Sequence, residues 1–215
     1  MRAKDVTIIS ACRNREHVLA RSLPSWLALQ VAEIIIVDWG SKPRLKVETQ
    51  TLTSGFTKIT IVRVQDIGRW ILSLALNFAA SHVRTLYILK LDVDYVLGAN
   101  FLQKHPLNDK PRCFWAGNWR QARNENERHL NGLLFVSRSH FEQVGGFNEY
   151  VRGYGYDDTD LYNRLQQIAK LEMCFIDNDT VHHIEHPHLN QQLNIFTNMY
   201  LCKRLPWDAQ RLACG

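Results

Sequence analysis

At 215 residues, 46% of them hydrophobic, the chain is long enough for one α/β domain with a substantial core and too short for two of ordinary size. Its formal charge of +5 favours an anionic partner such as a nucleotide. The basic residues are scattered, however, and without a Lys/Arg block the composition argues against nucleic-acid binding. Five cysteines, Cys12, Cys113, Cys174, Cys202 and Cys214, are odd in number, widely spaced and free of any Cys-x-x-Cys pair. That pattern speaks against a disulfide framework or a cysteine zinc site and suits a reducing, cytoplasmic setting. "MRAKD" leads directly into "VTIIS", so neither a signal peptide nor a spanning helix is expected, with peripheral membrane association left open. A catalytic piece of a larger enzyme would read in the same way.

In chain order, "VTIISA" is a buried strand and "EHVLARSLPSWLAL" a helix expected to be interrupted near Pro24. "AEIIIVDWGS" is a second strand ending in a polar turn, "ITIVRV" a third, "RWILSLALNFAASH" an apolar helix, and "LYILKL" a fourth strand. Strands and helices in alternation, with strands apolar at nearly every position, predict a mostly parallel sheet covered on both faces. The second half is less regular. It holds the polar "NWRQARNENERHLNG", a strand "LLFVS", a short helix "RSHFEQV", the turn "GGFNEYVRGYGYDD", a helix "TDLYNRLQQIAKL" and a strand "MCFID". The histidine-rich "TVHHIEHPH" and a terminal helix with a loose end complete it.

Ligands of such sheets sit at the carboxyl ends of the strands. Those ends carry Arg13, Asn14 and Arg15, then Asp38, then Asp66 and Arg69, then Asp92 and Asp94. Two carboxylates at i and i+2 where a strand ends can reach one hard cation that joins them to a diphosphate; two solvated loop aspartates are the bland alternative. Arginine forks match phosphate oxygens, so Arg13 and Arg15 could clamp a diphosphate or merely pair with Glu16. His183 and His186, at i and i+3, could face one cation if their segment forms a turn or short helix. In "GYGYDDTD" the acids Asp157, Asp158 and Asp160 start a helix, where capping accounts for one of them. Tyr154 and Tyr156 offer flat faces for sugar rings, and a carboxylate beside them could accept a hydroxyl proton. Trp70, next to Arg69, reads as core or base packing.

Together these motifs resemble a glycosyltransferase of the nucleotide-diphospho-sugar (GT-A) fold. The chain is similar to the family 2 enzymes and, within the superfamily, to the β-1,4-galactosyltransferases and bacterial chondroitin-type polymerases. The resemblance runs from "VTIISACRNREHVL" through "IIIVDWGS" and "LKLDVDYVL" to "NGLLFVSRSHFEQVGGFNEYVRGYGYDDTDLYNRL" and "HHIEH". It implies that Arg13, Arg15 and Asp38 bind the nucleotide with Asp92 in support, and that Asp94, His183 and His186 hold Mn²⁺ or Mg²⁺; Arg69, at a strand end, is a further nucleotide-binding candidate. It also implies that Asp158 is the catalytic base, with Asp157, Tyr154 and Tyr156 binding the acceptor. Tyr154 and Thr159 depart from the family's pattern in the glycine-rich turn, and His183 stands where the galactosyltransferases have methionine.

The resulting expectation is a single GT-A domain, with a nucleotide-binding half over about 1–97, an acceptor and catalytic half over about 98–190 and a tail over 191–215. The expected activity is inverting transfer of a hexose or N-acetylhexosamine from a UDP-sugar to a glycan hydroxyl, in a bacterial-type enzyme of polysaccharide biosynthesis. Trp115, Trp119, Arg120, His129 and Asn131 are candidates for contacts to the donor sugar. The rival readings are a nucleotidyltransferase, which would release pyrophosphate, and a non-catalytic nucleotide- or glycan-binding module.

Overall fold

A computed structural model of the chain describes residues 1–46, 57–65, 69–153, 155–185 and 195–204. Its first half runs β1 (Val6–Cys12), α1 (Glu16–Ala28), β2 (Glu33–Trp39), β3 (Lys58–Val64), α2 (Leu72–Ser81), β4 (Tyr87–Lys90) and β5 (Tyr95–Leu97). The second half contains α3 (Phe101–Lys104), β6 (Cys113–Ala116), β7 (Leu134–Ser137), α4 (Arg138–Gln143), α5 (Asp157–Gln167), β8 (Glu172–Phe175), β9 (Val181–His183) and α6 (Ile195–Arg204). Seven strands form one sheet in the order β3-β2-β1-β4-β7-β6-β8, while β5 and β9 form a separate antiparallel pair.

The sheet is mainly parallel, as expected, with β7 running antiparallel to both β4 and β6. That one reversal matters for function. It places the start of β7, rather than its end, beside the carboxyl end of β4, with Lys90 opposite Leu134.

Strand apolarity follows from burial on both faces. Val6 and Ile8 of β1, Ile34 and Ile36 of β2, and Leu89 of β4 join one core with Leu19, Leu23 and Trp26 of α1. Their neighbours Ile9, Ile35, Val37 and Ile88 point the opposite way, into a second core with Ala75, Leu76 and Ala79 of α2 and Leu161 and Leu165 of α5. A period of two with both phases apolar leaves no polar face for sequence alternation to reveal.

Helix α1 runs unbroken through Pro24, contrary to the interruption expected from its sequence. Pro24 and Ala20, whose carbonyl loses its helical partner to the proline, are both exposed, so water solvates the orphan group. The opposite face is held firmly: Ser22 Oγ donates to the Val93 carbonyl at 2.6 Å and the Trp26 indole to the Tyr95 carbonyl at 2.7 Å. Helix α1 is thereby a clamp on the segment that follows β4. The strand β6 and the β5/β9 pair are not among the expected elements; β5 and β9 are only three residues long.

Candidate active site

The two aspartates after β4 turn in different directions. Asp92 Oδ1 lies 3.0 Å from the ammonium of Lys90, whereas Asp94 Oδ2 lies 3.3 Å from Arg15 Nη1 and 3.7 Å from His183 Nε2. Like charges are tolerated at this strand end because each is matched by a different cationic or imidazole partner. His183 arrives on β9, which pairs with β5 so that His183 stands opposite Tyr95, and the Ile184 amide donates to the Asp94 carbonyl at 2.7 Å. Strand alternation buries His183 and exposes His182, so the segment up to His183 is extended rather than a turn or short helix. His129 stacks on His183 with ring centroids 4.7 Å apart.

Asp94 and His183 are a carboxylate and an imidazole converging on one point, a donor set that suits Mn²⁺. His186, expected as a further ligand, lies outside the described residues, and among the described residues no group of three or more His, Cys, Asp or Glu side chains gathers as a metal cluster. The described pair fits a divalent cation as two members of its ligand set.

The two loops after β1 and β2 are tied to each other. Asn14 has a positive φ of 56°, its amide donates to Ser41 Oγ at 3.0 Å, and its Oδ1 accepts from the Lys42 amide at 2.7 Å. Asp38 is fully buried and accepts from the Ser41 amide at 3.0 Å, the Leu45 amide at 3.1 Å and the Arg63 guanidinium. Burial alone would raise its pKa, but these hydrogen bonds outweigh it and hold the carboxyl below the ordinary range. Arg13 is half-buried on the β1 loop and Arg69 is exposed after β3, with its carbonyl accepting from the Trp39 indole at 3.0 Å. Trp70 meets Trp39 edge to face, consistent with packing.

Asp157 and Asp158 open α5 after Tyr156, which takes a left-handed φ of 74°; Tyr154 lies outside the described residues. Asp160 has a structural role, since Arg164 grips its Oδ2 and also donates to the carbonyls of Val144 and Gly146 at 2.6 Å. Asp158 Oδ1 is buried, makes no hydrogen bond among the described residues, and lies 3.6 Å from Lys90 Nζ. Burial, with repulsion from Asp157 and Asp92, raises its pKa to about 8 against the pull of Lys90. Asp157 is raised as well, chiefly by burial, with Lys90 opposing.

A 3-10 helical segment, Asn126–Gly132, borders the site and is held through its carbonyls by three buried donors. Tyr95 donates to the His129 carbonyl at 2.6 Å, Tyr162 to the Asn131 carbonyl at 2.8 Å, and Lys90 to the Gly132 carbonyl at 2.6 Å. Gly132 leaves room for the charged groups: a Cβ there would come within 2.7 Å of Asp92 Oδ2, 2.9 Å of Lys90 Nζ and 3.3 Å of Asp158 Oδ2, so these side-chain ends would have to shift. Trp119 is exposed with Arg120 stacked on it at 4.6 Å, whereas Trp115 packs against His105 and Lys110.

Sequence reasoning missed Lys90, Gly132 and Arg63. Lys90 was nevertheless visible as a charge at the end of an apolar strand, and such a charge needs buried acids to match it.

A mainly parallel sheet with charged side chains gathered at its carboxyl edge, and an acidic helix start facing a strand-end carboxylate, is the arrangement of a GT-A glycosyltransferase. Residues 7–143 match the model of glycosyl transferase family 2, and residues 118–189 match that of the N-terminal domain of galactosyltransferase. The chain belongs to glycosyl transferase family 2. No curated protein matches it significantly.

Among solved structures, the catalytic domain of Drosophila β-1,4-galactosyltransferase 7 in complex with xylobiose superposes with a TM-score of 0.63 at 18% identity, covering 93% of this chain and 79% of that one. A mutant of the same enzyme, in complex with manganese, UDP-Gal and xylobiose, gives 0.57 at 18% identity over 84% of this chain and 71% of that one. The mannosyltransferase PcManGT from Pyrobaculum calidifontis, with GDP-Man and Mn²⁺, gives 0.60 at 16% identity over 80% and 54%.

Proposed function

We propose that the chain is an inverting, metal-dependent transferase that moves a hexose or N-acetylhexosamine from a UDP-sugar to a glycan hydroxyl, with Asp158 as general base. The observation that carries this reading is the buried Asp158 Oδ1, which accepts no hydrogen bond among the described residues and stands at the helix start facing Asp92 across Lys90. A base needs an available lone pair and a raised pKa, and Asp158 has both.

Asp94 and His183, with His186, would hold the cation, which when bound neutralises charge on the departing diphosphate. Arg13 and Arg15 would orient the phosphates, Asp38 and Arg69 would border the nucleoside, and Asp92 would support the donor side. Asp157, Tyr154 and Tyr156 would border the acceptor. In this scheme Asp158 takes the acceptor proton while the acceptor oxygen attacks the anomeric carbon and UDP leaves from the opposite face, giving one inversion. The division into a nucleotide half, an acceptor half and a tail belongs to the same proposal, as does the cytoplasmic setting suggested by the cysteines. Among the described residues no helix is long and apolar enough to cross a membrane.

Calorimetric titration with UDP, with and without Mn²⁺, on the wild type and on Asp94→Ala tests the donor site. Binding that requires both the metal and Asp94 supports it, and tighter binding of GDP would move the donor to another nucleotide. With UDP-galactose as donor, Asp158→Asn should lower turnover by roughly 10²–10⁴-fold while UDP still binds. Release of pyrophosphate instead of UDP would favour a nucleotidyltransferase.

A further inference from the structure

The ammonium of Lys90 is the charge on which this site converges. Its side chain is 1% exposed, and it contacts the Gly132 carbonyl at 2.6 Å, Asp92 Oδ1 at 3.0 Å and Asp158 Oδ1 at 3.6 Å. Burying a lysine is strongly unfavourable unless it is paired and hydrogen-bonded, and one carboxylate with one carbonyl would go far toward meeting that need. Two carboxylates are present.

We propose that Lys90 is a positioning residue of the transfer step, which holds Asp158 toward the acceptor and ties it to the donor side through Asp92 and to the 3-10 segment 126–132 through the Gly132 carbonyl. This inference rests on the reading of Asp158 as base.

The distances divide the work. Asp92 and Gly132 lie within hydrogen-bond range of Nζ, whereas 3.6 Å to Asp158 is too long for a hydrogen bond and short enough for strong attraction in a buried site. Lys90 therefore restrains the base as its more distant partner, while the carboxylate's remaining lone pairs stay open to an acceptor hydroxyl. The position of Lys90 is itself fixed by the backbone, since it ends β4 paired with Ile9 on one side and Leu134 on the other. A Cβ at Gly132 would come within 3.3 Å of Asp92, Lys90 and Asp158 at once, so the three charged groups border one small space.

The test is a double-mutant cycle of Lys90→Met, Asp158→Asn and their combination. UDP release from UDP-galactose with Mn²⁺ is followed with water as acceptor and with a panel of p-nitrophenyl glycosides, and UDP affinity is measured calorimetrically. A residue acting through Asp158 should lower kcat by about 10–10²-fold in Lys90→Met, with KM for UDP-galactose within about threefold. It should add less than about threefold to the loss already caused by Asp158→Asn. A merely structural lysine would instead give losses that multiply, and that outcome, or normal kcat in Lys90→Met, overturns the inference while leaving the base in place. Normal turnover in Asp158→Asn, or a wild type that releases no UDP from UDP-galactose, UDP-glucose or the UDP-N-acetylhexosamines, overturns the reading of the base and the inference with it. If Lys90→Met does not fold, Lys90→Gln, which keeps a donor for Gly132 but removes the charge, is carried through the same cycle with the same criteria.

Discussion

Asp38, fully buried, and Asp158, partly buried with its Oδ1 enclosed, lie at the same edge of the sheet, and their surroundings shift them in opposite directions. Asp38 is enclosed by donors, the Ser41 and Leu45 amides and Arg63, so its charged form is favoured despite burial. Its folded pKa lies below the unfolded value, so its contribution to stability is present above about pH 4 and is lost as the pH falls through the folded pKa. Asp38→Ala would leave Arg63 without its carboxylate and should cost about 3–5 kcal/mol in urea unfolding. A loss under 1 kcal/mol would show that the network carries little weight. Asp158 has burial and two neighbouring acids against it, and only Lys90 for it. As a base it works when ionised, so kcat/KM should rise with pH through about 8, as the free enzyme's titration dictates. An acid limb at the ordinary aspartate position, about 4 by reference values, would contradict this assignment.

Elements bring these residues together in ways that depend on a few side chains outside the site. Helix α1 holds the segment after β4 through Ser22 and Trp26, so its stability is coupled to the placement of Asp92 and Asp94. Pro24→Ala restores an amide that can bond to the Ala20 carbonyl on the exposed face and should stabilise the chain by roughly 1–2 kcal/mol, less than the full helix cost of proline because the unfolded chain gains freedom. Thermal melting measures this, and an unchanged midpoint would mean that the helix already accommodates the proline at no cost. The turn before α5 is held from the far side by α6: Asn198 donates to the carbonyls of Arg152 at 3.0 Å and Gly155 at 2.8 Å and accepts from the Arg152 amide at 3.2 Å. Asn198→Ala should therefore lower kcat as well as stability, since Gly155 directly precedes Tyr156 and the acids. Loss of stability with normal kcat would confine α6 to a structural role.

For the whole molecule, the proposal requires that donor and metal bind the folded state together. A ligand that binds only the folded chain stabilises it by RT ln(1 + [L]/Kd), about 2.7 kcal/mol at a hundredfold excess over Kd. UDP with Mn²⁺ should raise the melting temperature, whereas UDP with a chelator should leave it near that of the protein alone. An equal rise in both conditions would remove the metal from nucleotide binding. The same scale explains which features were legible. Strand and helix alternation, and polar residues at the ends of β1, β2 and β4, could be read from residues near in sequence. The unbroken α1 could not, because local propensity disfavours proline while packing of Leu23 and Trp26 on the sheet favours continuity.

The sequence by itself determined the sheet's covered, mainly parallel character and the identities of the acids and arginines at its edge, because those depend on apolar runs and strand-end positions along one chain. Tertiary structure alone decided that Asp92 and Asp94 face different partners, that β9 brings His183 to Asp94 across 88 intervening positions in a small antiparallel pair, and that Lys90 meets Asp158 through the reversed strand β7 and the first turn of α5. Charge pairing acts over a few ångströms in space, and the chain contains no local signal for which distant carboxylate a buried ammonium will reach.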